Sequence, residues 1–491
     1  MPIHVAEYLQ TVRSGVHRVC TRYTHHQNAP LVRAIRGGRL AMRFHAGKLA
    51  GICAAGLFLA GCGGNDGRIK LQFGNEQLTG VRRDMMAAAI KRFEAANPDL
   101  RVEMIEINSG KLLSMSAGGI APDVFFMNRV ELPVYLVKKR LLDITDMVQA
   151  STAVALKTFY PYMMEPYLFD GKTFGKGRVY GFPKDFSPDV MLFYNKDHFT
   201  EAGIPFPDPK KPYTWDEFVT VCKKLTKFNA DGTVKRYGVS IPFPSVFFGK
   251  LIFSNGGAFF SDDYRTCVVD TPAAVEGLRA MFDLHRVHKV TPFPIAGGSG
   301  SSSGMMDAGE MFRAGMASMS FFGRWEVANF EELFARLGSQ GINWGVAPGP
   351  QFGKKRLNVT IGPNGYAISA TTKHPKEAFR LLEFLVGYEH QSEMARMGWN
   401  IPTRIDVAEG EPFLKNPDHP KGVNESFIIE AKYTVPLQTN PYINLWEFLG
   451  ALSDELGLLD IKKDLTIEQA CRNVARKVNG IIKKNMEAEN Q

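Results

Sequence analysis

Ile69-Lys-Leu-Gln-Phe73 alternates apolar and polar residues, as a strand with one buried face must. Gly74-Asn75-Glu76-Gln77 reads as the turn after it. From Val81 to Ala96 the apolar spacing becomes helical, with Met85, Ala88, Ala89 and Phe93 on one face. Asn97-Pro98 stops that helix, and Arg101-Val-Glu-Met-Ile-Glu106 alternates again. Ala121-Pro-Asp-Val-Phe-Phe126 reads as a third, buried strand after a proline turn. Strand, helix, strand is the order of a parallel sheet covered by helices, so the chain is α/β.

The same rhythm continues outward. Thr214-Trp-Asp-Glu217 has the spacing of a capping box, followed by Phe218, Val221, Cys222 and Leu225 at helical intervals. Thr271-Pro272 opens another helix, with Val275, Leu278 and Phe282 on its inner face. Residues 310–322 read as a short helix and a buried strand. Asn358-Val-Thr-Ile361 and Tyr366-Ala-Ile-Ser369 read as strands flanking a glycine turn, and a helix is predicted from Pro375 to Leu385. Thr466 and Gln469 make a second capping box in a helical C-terminus. Gly297 to Gly304 is a Gly/Ser loop.

At the N-terminus, Arg43 and Lys48 precede an apolar run from Leu49 to Ala60. A basic start, a short apolar middle and small residues before a cleavage point make a secretory signal, spanning 42–61. The run is shorter than the roughly 20 residues that cross a bilayer. Leu59-Ala-Gly-Cys62 resembles the lipobox of bacterial lipoproteins. That resemblance implies that Cys62 becomes the mature N-terminus and carries the acyl chains that anchor the protein, exported, to the cell membrane. The competing reading is a short core helix ending in Cys. Residues 1–41 form an upstream extension without periodicity and are set aside from fold reasoning.

Removing the leader changes the charge argument. The chain holds 59 Lys+Arg against 50 Asp+Glu, and residues 1–61 contain eight of the bases and one acid, leaving 51 against 49. Nothing in that balance calls for nucleic acid, which needs a basic patch on the folded domain. Of six cysteines, Cys222, Cys267 and Cys471 remain beyond Cys62, too scattered for a zinc cluster. They are expected to be buried thiols.

HExxH, a Walker loop and a strand-borne GxGxxG are all missing from the sequence. Gly300-Ser-Ser-Ser-Gly304 matches GxSxG only in letters, for it lacks the strand–turn–helix context of a nucleophile elbow. No cofactor or metal is expected, and an enzyme is unsupported.

A series of phrases resembles the extracellular solute-binding proteins, family 1, of ABC importers, which are mostly sugar binders. In order these are Tyr180-Gly-Phe-Pro-Lys-Asp-Phe-Ser187, Leu192-Phe-Tyr-Asn-Lys-Asp197, Ala202-Gly-Ile-Pro205 and Thr214-Trp-Asp-Glu-Phe218. Ser254-Asn-Gly-Gly257, Phe312-Arg-Ala-Gly-Met-Ala317, Gly323-Arg-Trp325 and Ile401-Pro-Thr-Arg404 follow. The resemblance implies a two-lobed, periplasmic-binding-protein-like fold with a hinge and a ligand cleft between the lobes. One lobe would take 68–184 plus 355–400, the other 190–350 plus 401–491, with a hinge in Pro183 to Val190. It also implies a membrane-anchored receptor, monomeric, that binds a small-molecule sugar or oligosaccharide and delivers it to the importer's permease subunits and their ATPase. The rivals are an exported carbohydrate-active enzyme and the same fold binding a non-sugar organic solute.

A sugar offers rows of hydroxyls and an apolar ring face. Planar polar side chains bond neighbouring hydroxyls, and an aromatic ring covers the face. On that basis the candidate ligand contacts are Glu76, Asn128, Asp185, Trp325, Asn364 and Trp399. Each has a plainer alternative: a solvated turn acid for Glu76, a cap for Asn128, a hinge hydrogen bond for Asp185. Core packing is the alternative for Trp325 and Trp399, and a hairpin turn for Asn364. Arg324 reads as a surface salt-bridge residue, Trp446 as core packing or a second stacking ring, and Trp215 and Trp344 as core.

Overall fold

The computed structural model describes residues 67–76, 80–242, 244–292, 307–338, 341–398, 400–415 and 422–489. The signal, Cys62, the Gly297–Gly304 loop and Trp399 lie outside the described residues.

The strands that position the site are β1 (Ile69–Asn75), β2 (Leu100–Glu106), β3 (Val124–Met127), β4 (Gly181–Phe186) and β5 (Met191–Asn195). They continue with β6 (Met319–Phe322), β7 (Trp344–Pro348), β8 (Asn358–Thr360), β9 (Asn364–Ile368), β10 (Ile401–Pro402) and β11 (Thr434–Pro436). The first sheet has the order β10-β4-β9-β3-β1-β2. Helix α1 (Gly80–Ala96) carries the chain from β1 to the parallel β2, in register from Ile69 opposite Leu100 to Asn75 opposite Glu106. β3 is also parallel to β1, whereas β9 runs antiparallel between β3 and β4. Leu71, Phe73, Phe93, Phe125, Phe182, Tyr366 and Leu382 share one core around this sheet.

The second half is built on the antiparallel order β6-β5-β7. All of β5 is buried, because alternate side chains enter two different cores. Leu192 and Tyr194 pack with α2 (Trp215–Leu225), α3 (Pro244–Ser254), α4 (Pro272–Arg286) and the two C-terminal helices. Met191 and Phe193 pack with Phe322, Phe330, Trp344 and Phe427 on the other side. The result is two α/β lobes, and the stretches 187–190 and 349–363 pass between their sheets. Those stretches are tied together: Asp189 N–H donates to Val359 O at 2.9 Å, and Asn358 Oδ1 accepts from Val190 N–H at 3.1 Å.

Most predicted elements appear where periodicity placed them. The Thr214 box forms, with Thr214 Oγ1 accepting from Glu217 N–H at 3.3 Å and Glu217 Oε2 accepting from Thr214 N–H at 2.8 Å. Cys222, Cys267 and Cys471 are free and buried. Four expectations are corrected. Gly74 and Asn75 belong to β1 rather than to a turn, because their pairing with β2 continues to Glu106. The core line of α1 is Met86, Ala89, Ile90 and Phe93; Ala88 is exposed. β8 and β9 do not form a hairpin, since β8 pairs in parallel with β11. Trp446 is 51% exposed, so it is no core residue.

Candidate ligand cleft

The C-terminal ends of β1, β3 and β4 lie at one edge of the first sheet, where open α/β sheets bind ligands. Beyond that edge is a cavity of about 480 Å³, within the range of roughly 300–1,000 Å³ common for small-molecule sites. Five of the six predicted contacts line it: Glu76, Asn128, Asp185, Trp325 and Asn364. A smaller cavity of about 160 Å³ adjoins it and shares Asn128, Trp325, Asn364 and Asn400. Strand pairing brings these residues together. Asn364 opens β9 directly opposite Asp185 near the end of β4, and Gly365 sits opposite Met127, one residue before Asn128.

Asp185 is buried beside Lys184, with which it forms an ion pair, and its Oδ1 accepts from Asn400 Nδ2 at 3.3 Å. Lys184 Nζ also lies 5.5 Å from the centre of the Phe126 ring. Asn400 Oδ1 is buried and accepts from no described residue. Asn128 caps a 3₁₀ turn, its Oδ1 accepting from Val130 N–H at 3.3 Å, and it also lines the cleft. Glu76 has its carboxyl raised by burial and by the neighbouring Glu131, with Lys184 opposing. Arg82 on α1 has its pKa lowered by burial, an effect Asp185 partly offsets.

Trp325 is the first residue of α5 (Trp325–Leu337), and its ring stands edge-on to Phe322 at 6.4 Å. It is only partly buried and lines both cavities. Arg324 turns the other way. It is fully buried rather than salt-bridged at the surface, since Nε and Nη2 donate to Asn424 Oδ1 at 3.1 and 2.9 Å and Nη1 to Gly398 O. The rings of Phe413 and Phe427 lie against its guanidinium, and burial lowers its pKa to about 9.

Sequence reasoning missed Arg82, Met85, Met86, Asn329, Met394, Met397 and Asn400. The methionines give the wall a soft apolar lining that adapts to ligand shape. Among the described residues no group of three or more His, Cys, Asp or Glu could hold a metal, and no helix is long and apolar enough to cross a membrane.

Residues 76–392 match the bacterial extracellular solute-binding protein profile. The chain belongs to that family. A protein of Streptomyces antibioticus named as an uncharacterized lipoprotein in the oleD 5′ region is 28% identical over 74% of this chain and 76% of its own. An arabinooligosaccharide-binding protein of Halalkalibacterium halodurans is 23% identical over 77% and 80%. The fold matches a substrate-binding protein of Listeria monocytogenes, solved with cycloalternan, at a TM-score of 0.66 and 24% identity, covering 86% of this chain and 99% of that one.

Proposed function

We propose that this solute-binding protein captures a sugar or small oligosaccharide between its lobes and hands it, chemically unchanged, to the permease subunits of an ABC importer driven by their ATPase. The observation that carries the reading is the meeting, around one cavity, of Trp325 with Glu76, Asn128, Asp185, Asn364 and Asn400. That combination suits a ligand with an apolar face and many hydroxyls. The relatives named for arabinooligosaccharide and cycloalternan support the same ligand class. Ligand contacts with both lobes would favour a closed form by hinge motion, and the membrane partner would recognise that form.

The test is a thermal-shift screen with maltose, maltotriose, cycloalternan and arabino-oligosaccharides. A ligand at a hundredfold excess over its dissociation constant stabilises the native state by about 2.7 kcal/mol. At least one of these sugars is expected to raise the melting temperature, and Trp325→Ala to remove the rise. A screen with no sugar response, or a response unchanged by Trp325→Ala, contradicts the assignment.

The anchor is part of the proposal. Acylated Cys62 holds the single chain on the outer face of the cell membrane, in line with the lipoprotein name of the Streptomyces relative. In cells, Cys62→Ser is expected to move the protein from the membrane fraction to the soluble exported fraction. Unchanged membrane association would exclude Cys62 as the anchor.

A further inference from the structure

Asp189 lies between β4 and β5, and donors from three segments converge on its single carboxylate. Its Oδ2 accepts from Ile361 N–H at 2.8 Å. The side chains of Ser187, Thr360 and Trp325 also hydrogen-bond to it, Ser187 sharing its single hydroxyl proton with Pro188 O, 2.9 Å away. Ser187 belongs to the first stretch between the lobes, Thr360 and Ile361 to the second, and Trp325 to the helix that walls the cleft. Ser187 Oγ in turn accepts from the N–H of Arg324 at 2.6 Å, next to Trp325. Gly323 leaves room for this convergence. A Cβ there would stand 2.4 Å from Trp325 Nε1 and 2.7 Å from both Asp189 Oδ1 and Ser187 Oγ.

An indole N–H can donate but never accept, so a fixed acceptor limits how the ring turns about its bond to the backbone. We propose that Asp189 is the positioning residue of the cleft: it sets the angle of the Trp325 ring and couples that ring to both stretches between the lobes. The inference rests on the cleft being the ligand site, and it adds to that reading the residue that aligns the stacking surface and ties it to closure.

Burial raises the Asp189 carboxyl to about 7, and its four donors only partly oppose that rise. The charged groups on the surrounding elements are engaged elsewhere. Arg324 runs to Asn424 and Gly398, Glu430 is held by Arg356 and Asn358, and Lys184 pairs with Asp185. Protonation would place an O–H among donors, and neither the Trp325 nor the Ile361 N–H can reverse its role. A neutral carboxyl keeps its carbonyl oxygen but accepts these N–H bonds more weakly, so the hold on the ring is expected to loosen as the pH falls through about 7.

The test follows the tryptophan emission of the full chain between about pH 5 and pH 9. A transition near neutrality is expected in the unmodified protein and expected to be lost in Asp189→Asn and in Trp325→Phe. Thr360→Val removes one donor to the ionised form, so its midpoint should move upward; this variant serves if Asp189→Asn does not fold. In a parallel arm, maltotriose should bind about tenfold more weakly at pH 5.5 than at pH 8, and Asp189→Asn should bind it without that pH dependence. Absence of the transition, its persistence in Asp189→Asn, or an unmoved midpoint in Thr360→Val overturns the proposal. The expected emission changes without maltotriose binding at any pH would uphold the positioning role and count against the sugar assignment alone.

Discussion

His198 shows how burial at a single residue sets a pH response. Its Nε2 lies 3.4 Å from Asn195 Nδ2 and its Nδ1 3.1 Å from Ser318 Oγ. Burial first, then Arg236, lowers its pKa from the ordinary 6.5 to about 4, against the pull of Glu201 and Asp197. Between those two values the unfolded chain binds a proton that the native state refuses, so stability rises with pH through that window. His198→Gln is expected to flatten the rise in urea midpoint between pH 4 and pH 6.5, and superimposable profiles would refute it. The cleft was only partly legible at this scale. Glu76 and Asn128 follow strands that the linear pattern already marks, whereas Asp185 came from the hinge phrase and its resemblance to the family. Trp325 and Asn364 followed from their glycine neighbours and family phrases. Arg82, Met394 and Asn400 were not legible, because they reach the cleft from a helix or loop whose rotation is decided by docking. Arg324 misled for a related reason: its charge suggests water, and only the folded chain supplies the Asn424 and Gly398 acceptors that allow burial.

At the scale of elements, β5 holds the second lobe together. Phe193 stands edge-on to Phe322 and Phe330 at 5.3 and 5.4 Å and stacks on Trp344 at 5.8 Å. Phe193→Ala is expected to cost about 3–5 kcal/mol in chemical denaturation. A loss below about 1 kcal/mol would mean that this ring cluster repacks freely. Elements with a local signature were readable in advance. The Thr214 capping box, the Pro272 helix start and the alternation of β1 and β2 each depend on neighbours in sequence. α1 was found, but its face was misjudged by about one residue. Met85 and Met86 are both apolar and both line the cleft, but Met86 is buried within the core whereas Met85 only packs against it, a division that periodicity alone cannot make. The pairing of β8 with β11 joins segments more than seventy residues apart, so nothing local announces it.

For the whole molecule, order and crossing matter more than any single contact. The two sheets are joined by stretches that hydrogen-bond to each other through Asp189, Val190, Asn358 and Val359, and one apolar cluster holds Phe186 and Ile401 of the first sheet together with Met191, Phe193 and Phe322 of the second. The family phrases pointed to this arrangement because they recur in a fixed order along the chain. The ligand is harder to read, for it depends on side chains gathered from both lobes. The most direct test of the central claim is small-angle X-ray scattering with and without the best sugar of the thermal screen. The account predicts a smaller radius of gyration at saturation and no change for Trp325→Ala. A saturating sugar that leaves the dimensions of the unmodified protein unaltered would contradict capture by lobe closure.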